Sequence, residues 1–342
     1  MALLNYLETG STDSAWNLAF EEYVLTTKRE GDWLILWQNA NTVVVGMNQN
    51  AEEEISRSFV EARGITVVRR TTGGGAVYHD LGNLNYSFIT DAGDAQQLSI
   101  TRFTRPVCAA LESLGVSAVP SGRNDITING KKVSGTAQRL HKGRILHHGT
   151  LLFDSDAEMV AGALNSDPEK FRSKAAKSVR SRIGNIREML PEDMDIAAFK
   201  ARLLLALAGD GLQRRNLDPA ELSEIGKLAD EKYRSWDWNF GASPAFSIIC
   251  KRRLEGGALE VGLQAASGII EYVRFRGDFM AVEDCSPVAE ALQNVRFARN
   301  DVMAVLDGFN LTPMFGAVTA TDIADTIFGT PDSSRKHPAC GR

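Results

Sequence analysis

The sequence predicts an α+β fold: mixed β-sheets flanked by helices, followed by a small α+β unit. Two observations carry this. Apolar, β-rich runs recur along the first half of the chain, and turn signals join several of them into hairpins. Helical segments are interspersed among them, which suggests an α+β sandwich rather than a βαβ sheet.

Taken in order, Ser11 to Ser14 offers several N-cap side chains, and Ala15 to Lys28 follows with helical spacing at Trp16, Ala19, Phe20, Tyr23 and Val24. Trp33 to Trp37 and Thr42 to Val45 read as strands, with Asn39-Ala40-Asn41 a hairpin signal between them. Ile65 to Val68 is a short strand ending at a glycine-rich turn. Leu84 to Phe88 alternates apolar residues with Asn and Ser, the pattern of a half-buried strand. Ser99 to Leu114 reads as a helix with Ser99 as its N-cap. Asp125 to Ile128 and Lys131 to Ala137 flank Asn129-Gly130, which favours a type I′ hairpin. Ile145 to Phe153 supplies a further strand, and Ala157 to Ala208 turns helical, broken by a basic stretch from Phe171 to Arg182.

The aromatic segment Trp236 to Phe246 reads as a seam. Beyond it, strands over Ile248 to Arg274 are split by Glu255-Gly256-Gly257, and Val288 to Leu306 and Ala317 to Phe328 read as helices. The expected boundaries are therefore a first domain over 1–245, an accessory domain over 246–328, and a disordered tail over 329–342.

Composition narrows the function. A net charge of −5 gives no global basic footprint for nucleic acid. No apolar run approaches the roughly 18 residues of a membrane helix, and the N-terminus lacks a secretory pattern. Cys108, Cys250, Cys285 and Cys340 lie far apart, without a CxxC pair, so a cytoplasmic protein is expected.

The stretch Arg69-Arg70-Thr71-Thr72-Gly73-Gly74-Gly75-Ala76-Val77-Tyr78-His79-Asp80 carries the most information. Glycine lets a backbone approach a ligand closely, successive N–H groups cradle an anion, and an arginine adds a charge-assisted fork. The glycines alone read equally well as a tight hairpin. There is no GxxxxGK[ST] loop and no GxGxxG, so any nucleotide is bound in another way.

The whole string is more specific, and it resembles the signature of lipoate-protein ligases within the biotin/lipoate attachment family. Further segments resemble that family in the same order: Leu36-Trp37-Gln38-Asn39 with Val43-Val44-Val45-Gly46, Ser121-Gly122-Arg123-Asn124-Asp125, Lys132-Val133-Ser134-Gly135-Thr136-Ala137, His147-His148-Gly149-Thr150-Leu151, Ser178-Val179-Arg180-Ser181-Arg182, and Trp236-Asp237-Trp238-Asn239-Phe240-Gly241. The resemblance implies a large catalytic domain of the biotin/lipoate ligase type. It also implies activation of lipoate by ATP to lipoyl-AMP, then transfer to a lysine of lipoyl domains in 2-oxoacid dehydrogenase E2 subunits and of the glycine cleavage H protein.

Residue by residue, the resemblance makes Lys132 the catalytic cation at the acyl carbonyl and α-phosphate. Alternation along the strand would point Lys132, Ser134 and Thr136 together. Without the resemblance, Lys132 is a solvated strand lysine. Arg70 and the backbone of Gly75, Ala76, Val77 and Tyr78 match nucleotide and acyl contacts, whereas Arg69 reads as structural or exposed. Trp37, Thr72 and His79 are placed along the lipoate pocket with Arg70, Gly75 and Lys132; Trp37 equally fits plain core. His148 matches the adenylate wall, and His147 a satisfied core histidine. Asp125 is the candidate Mg²⁺ ligand, and Asn124 accompanies it on the adenylate or caps the turn. Lys177 and Arg180 match an adenylate-binding loop.

One departure stands out: Met47 occupies a position where many family members carry a basic residue. A transferase of the same fold would need a reactive cysteine near the pocket. Only Cys108 falls where one is available, and a non-catalytic scaffold is a third, different class.

Overall fold

The computed structural model describes residues 3–49, 51–93, 100–122, 124–164, 182–208, 211–240, 248–266, 269–297 and 299–328. The chain divides into two compact units: Met1–Val45, Ala51–Thr71 and Ala76–Phe240 form the first, and Gly46–Asn50, Thr72–Gly75 and Gly241–Arg342 form the second. Among the described residues, no helix is long and apolar enough to cross a membrane.

The first unit is built on an eight-stranded mixed sheet in the order β11-β1-β2-β6-β10-β9-β8-β7. Its strands are β1 (Leu4–Glu8), β2 (Asp32–Trp37), β6 (Asn83–Asp91), β7 (Ala118–Ser121), β8 (Asp125–Ile128), β9 (Lys131–His141), β10 (Arg144–Leu152) and β11 (Leu212–Arg214). A three-stranded sheet holds β3 (Thr42–Val45) between β4 (Thr66–Arg69) and β5 (Val77–His79).

Helix α1 (Ser14–Thr27) starts at Asp13, whose carboxylate accepts from the Ala15 N–H. It packs with Val44 and Val68 of the small sheet on one face of the large sheet. On the opposite face lie α2 (Ile100–Ser113) and α3 (Ile196–Ala208), with Tyr86, Val107, Leu111, Phe199 and Leu203 in one core. Each such fully buried side chain contributes about 1.5–3 kcal/mol.

Two expectations are corrected here. Asn39-Ala40-Asn41 does not close a hairpin: β2 pairs with β1 and β6, while β3 pairs with β4 and β5 in the other sheet. Asn39 is fully buried and accepts from the Asn17 side chain, so it bridges layers instead of turning a ribbon. Strand β6 is not half-buried; Asn83, Asn85 and Ser87 are as deeply covered as Leu84 and Tyr86.

The Asn129-Gly130 hairpin is present, with φ of 51° and 76° as a type I′ turn requires. In the second unit, β12 (Ile248–Leu254), β13 (Gly257–Ala266) and β14 (Ile269–Gly277) form an antiparallel sheet covered by short helices. The helical run expected over Val288 to Leu306 is broken into Ser286–Ala291 and Arg299–Leu306.

Candidate active site

The sheet register lines up the first unit's candidate residues. Trp37 pairs with Asn85, Asn85 with Thr150, and Asp125 with Gly135. The Gly135 N–H donates to Thr150 Oγ1 at 3.1 Å, which closes the gap between the two halves. These residues form one transverse row across β2, β6, β10, β9 and β8, about 19 Å from end to end at ~4.8 Å per strand. A second row, two residues along on the same face, carries Ser87, His148 and Ala137.

At the β8 end, Lys132 Nζ lies 2.8 Å from Asp125 Oδ1. A register shift at Ile126/Thr127 breaks the alternation of β9. Lys132 therefore does not share a face with Ser134, as regular alternation would require. Its amine folds over Gly135, where an added Cβ would stand 3.2 Å from Nζ, while Ser134 is fully buried. A side chain at position 135 would crowd the lysine and require its amine to shift. The Lys132 carbonyl accepts from the Gly184 N–H at 2.9 Å, which pins the chain leaving the basic stretch to the strand that bears the lysine. Asn124 closes the turn, donating from Nδ2 to the Thr136 carbonyl.

At the β2 end, the Trp37 indole donates to Ser87 Oγ at 2.8 Å, and Ser87 donates to Glu21 Oε1 at 2.5 Å. His148 Nδ1 lies 2.9 Å from the same Glu21 oxygen. Arg70, at 5% exposure, donates from Nη1 to the Val44 carbonyl. Burial pulls its guanidinium down to about 10, against the opposing pull of Glu21.

His79 accepts at Nδ1 from Asn39 Nδ2 (3.1 Å), which leaves its proton on Nε2. That Nε2 is buried without a protein partner, as is Asn85 Nδ2. Burial first, then Arg70 and His148, push His79 down to about 3, so it is neutral across the physiological range. Trp37 and His79 meet edge to face at 6.3 Å. The face thus offers a buried cation, a carboxylate, orphaned donors and an indole at one end, and a lysine–carboxylate pair at the other. A molecule with an anionic group and an apolar body fits such a surface.

The family model of the lipoyl protein ligase A/B catalytic domain matches residues 13–208, and that of the bacterial lipoate protein ligase C-terminus matches residues 243–327. The chain belongs to the lipoyl protein ligase family. It is 42% identical to lipoate-protein ligase LplJ of Bacillus subtilis (strain 168) over 322 residues, 92% of this chain and 97% of that protein. A bi-partite lipoate protein ligase from Thermoplasma acidophilum, solved in a study of that enzyme and its E2 lipoyl domain, is 32% identical. It aligns with a TM-score of 0.64 over 72% of this chain and 99% of that one. Lipoate-protein ligase A bound with ATP aligns with a TM-score of 0.60 at 28% identity, over 70% of this chain and 98% of that one.

Other residues of this lipoyl protein ligase family member fall outside the row. Tyr78 points away from it, donating to Asn41 Oδ1 in the small-sheet core, and burial raises its hydroxyl to about 12. Ala76 packs with that core and Val77 pairs with Val44, so these two are placed by their backbone. His147 stacks on Phe103 at 4.7 Å on the opposite face, and burial pushes it down to about 3. Cys108 sits on that opposite face too, in the α2 core, where burial pushes its thiol up. Lys177 and Arg180 lie outside the described residues.

Thr72 and Gly75 belong to the second unit, where the glycine run behaves differently from an anion cradle. The Gly73 and Gly74 N–H groups donate to the carbonyls of Ala281 and Phe279, at 3.1 and 3.2 Å. A Cβ on Gly73 would stand 2.5 Å from Ala281 N, and Gly74 sits at φ 88°. Gly75 has ordinary spacing around its missing Cβ, with Asp278 Cβ at 3.8 Å. Met47, the departure from the family pattern, packs on the core of this unit.

Sequence patterns overlooked Glu21, Asn85 and Ser87; Thr150 lay within the His147 to Leu151 motif. The available signal was Asn83, Asn85 and Ser87 at alternate positions of one strand, beside a helix with two adjacent glutamates.

Proposed function

We propose that the chain condenses lipoate with ATP to lipoyl-AMP and pyrophosphate, then passes the lipoyl group to a lysine of a lipoyl domain and releases AMP. The observation that carries this is the transverse row, with Lys132 folded over Gly135 at one end and Trp37 at the other. Its span suits an acyl chain joined to a nucleotide. Lys132 stabilises negative charge on the α-phosphate and the acyl oxygen. Arg70 draws the lipoate carboxylate, and His79 and Asn85 offer it unpaired donors. Trp37 lies along the apolar body of lipoate. His148, Asn124 and the backbone of Gly75 to Tyr78 border the adenylate, with Lys177 and Arg180 as further contacts.

Mg²⁺ favours one or two carboxylates with phosphate oxygens and water, and it screens the charge of the triphosphate when bound. Asp125 supplies one such carboxylate, at present paired with Lys132. No cluster of three or more acidic, His or Cys ligands exists among the described residues. The ion would therefore be held largely through the nucleotide.

We assign 1–245 to catalysis and 246–328 to an accessory domain, with lipoyl domains of 2-oxoacid dehydrogenase E2 subunits and the glycine cleavage H protein as acceptors in the cytoplasm. The E2 lipoyl domain studied with the Thermoplasma ligase supports the first acceptor. The thioester alternative loses its nucleophile, because Cys108 faces away from the row. Lipoate-dependent ATP–pyrophosphate exchange without acceptor tests the proposal. Exchange abolished by Lys132→Ala supports it; no exchange, with acyl transfer from a carrier persisting, refutes it.

A further inference from the structure

Glu21 and Glu22 are neighbours on α1, and Arg69 and Arg70 are neighbours at the end of β4. In each pair one residue faces the site and the other is anchored behind it. Both anchors end on the same stretch of chain, residues 232–239.

Glu22 accepts from Lys232 Nζ at 2.9 and 2.8 Å, from Tyr233 Oη at 2.7 Å and from Arg139 at 2.9 Å. Lys232 also sits 4.2 Å over the Trp238 ring. Arg69 gives its backbone N–H to Asn239 Oδ1 (2.8 Å), Nε to the Trp238 carbonyl (3.0 Å) and Nη2 to the Asn239 carbonyl (2.9 Å). Its own carbonyl accepts from the Trp238 indole at 2.8 Å. Asn239 Nδ2 donates to the Tyr233 carbonyl at 2.7 Å, joining the two anchors. A π-helical turn over Ala229–Tyr233 precedes this junction, a geometry that often marks functional segments.

We propose that Lys232, Tyr233, Trp238 and Asn239 form a positioning clamp that sets Glu21 and Arg70 against each other across the acyl-binding face. The four residues act through the neighbours they hold, Glu22 beside Glu21 and Arg69 beside Arg70. Arg70 follows Arg69 directly in the chain, so the grip on Arg69 sets where the Arg70 backbone starts. A site of this kind loses rate when a group shifts by about 1 Å.

The test uses the full chain with Asn239→Ala, Asn239→Asp and Arg70→Lys, and the Asn239→Ala/Arg70→Lys double variant. In a crystal structure of Asn239→Ala, Arg70 Nη1 should leave the Val44 carbonyl; an Arg70 and Glu21 unmoved from their present positions overturns the clamp. This arm is independent of substrate. The kinetic arm rests on the ligase proposal and reads lipoate-dependent exchange. Asn239→Ala should raise KM for lipoate about tenfold, and Asn239→Asp, which keeps the acceptor for Arg69 N–H, should recover most of it. The double variant should fall no more than about threefold below Arg70→Lys alone; fully multiplicative losses mean a merely structural role. Should Asn239→Ala fail to fold, Trp238→Phe, which keeps an aromatic ring beside Lys232 but removes the indole donor to Arg69, replaces it in both arms. A wild type without exchange would sink the ligase proposal and leave the crystallographic arm to decide the clamp.

Discussion

Single residues in this protein are fixed by what occupies the space beside them. Gly149 is an example: a Cβ there would stand 2.5 Å from Tyr86 Oη. Gly149→Ala should therefore cost about 1–3 kcal/mol by overpacking, read as a lower urea midpoint with an unchanged slope. Lys132→Ala has the opposite profile. Its amine is partly exposed and paired with Asp125 across the surface of β9. Loss of that cation should lower kcat for adenylate formation about 100- to 1,000-fold, with Tm nearly unchanged in thermal scanning. The residues proposed to act chemically stand out in the sequence because they sit in dense motifs. Glu21 and Ser87 were not, because a polar residue in an alternating strand or a helix reads as a solvent-facing one. Only the second layer, the small sheet packed over α1, turns those positions inward.

Secondary-structure elements show where local signals suffice and where they do not. Asn129-Gly130 specifies its hairpin, since both residues accept positive φ. Gly130→Val should destabilise the β8–β9 ribbon by about 1–2 kcal/mol and disturb the Asp125–Lys132 pair it aligns. Parallel falls in Tm and in exchange activity would confirm this, whereas a fall in Tm alone would not. Asn39-Ala40-Asn41 looks similar in composition, yet its strands part company into two sheets, because Asn39 finds buried partners in Asn17 and His79. Strands β1, β7 and β11 carried no readable signal. Leu4–Glu8 lacks β-branched residues, β7 contains Pro120, and Leu212–Arg214 is three residues long. Their pairing is settled by neighbours far away in the chain. The register shift in β9 is also invisible locally, and it reverses the face on which Lys132 acts.

The whole molecule carries its two deeply buried imidazoles, His79 and His147, as neutral groups. Both are held at about 3, against the ordinary 6.5 that they regain on unfolding. Between these values the unfolded chain binds more protons, so stability rises with pH. It is fully present above about pH 6.5 and is lost as pH falls toward 3, at up to about 1.4 kcal/mol per pH unit for each histidine. Denaturant titrations at pH 7 and pH 5 should show this loss, and His147→Gln should remove part of the slope. Turnover has its own dependence: the acceptor lysine must be neutral to attack, so transfer from preformed lipoyl-AMP should accelerate from pH 7 to pH 9. The order of strands in the large sheet has a temporal side as well. All five strands beneath the transverse row lie between residues 32 and 152. A nascent chain emerging from the ribosome can therefore pair the floor of its site early. Residues 232–239, which grip Glu22 and Arg69, emerge later. If the row binds substrate as proposed, translation lays down its floor before the residues that grip Glu22 and Arg69, and a ribosome-stalled fragment ending before residue 232 should hold the row while binding lipoate poorly.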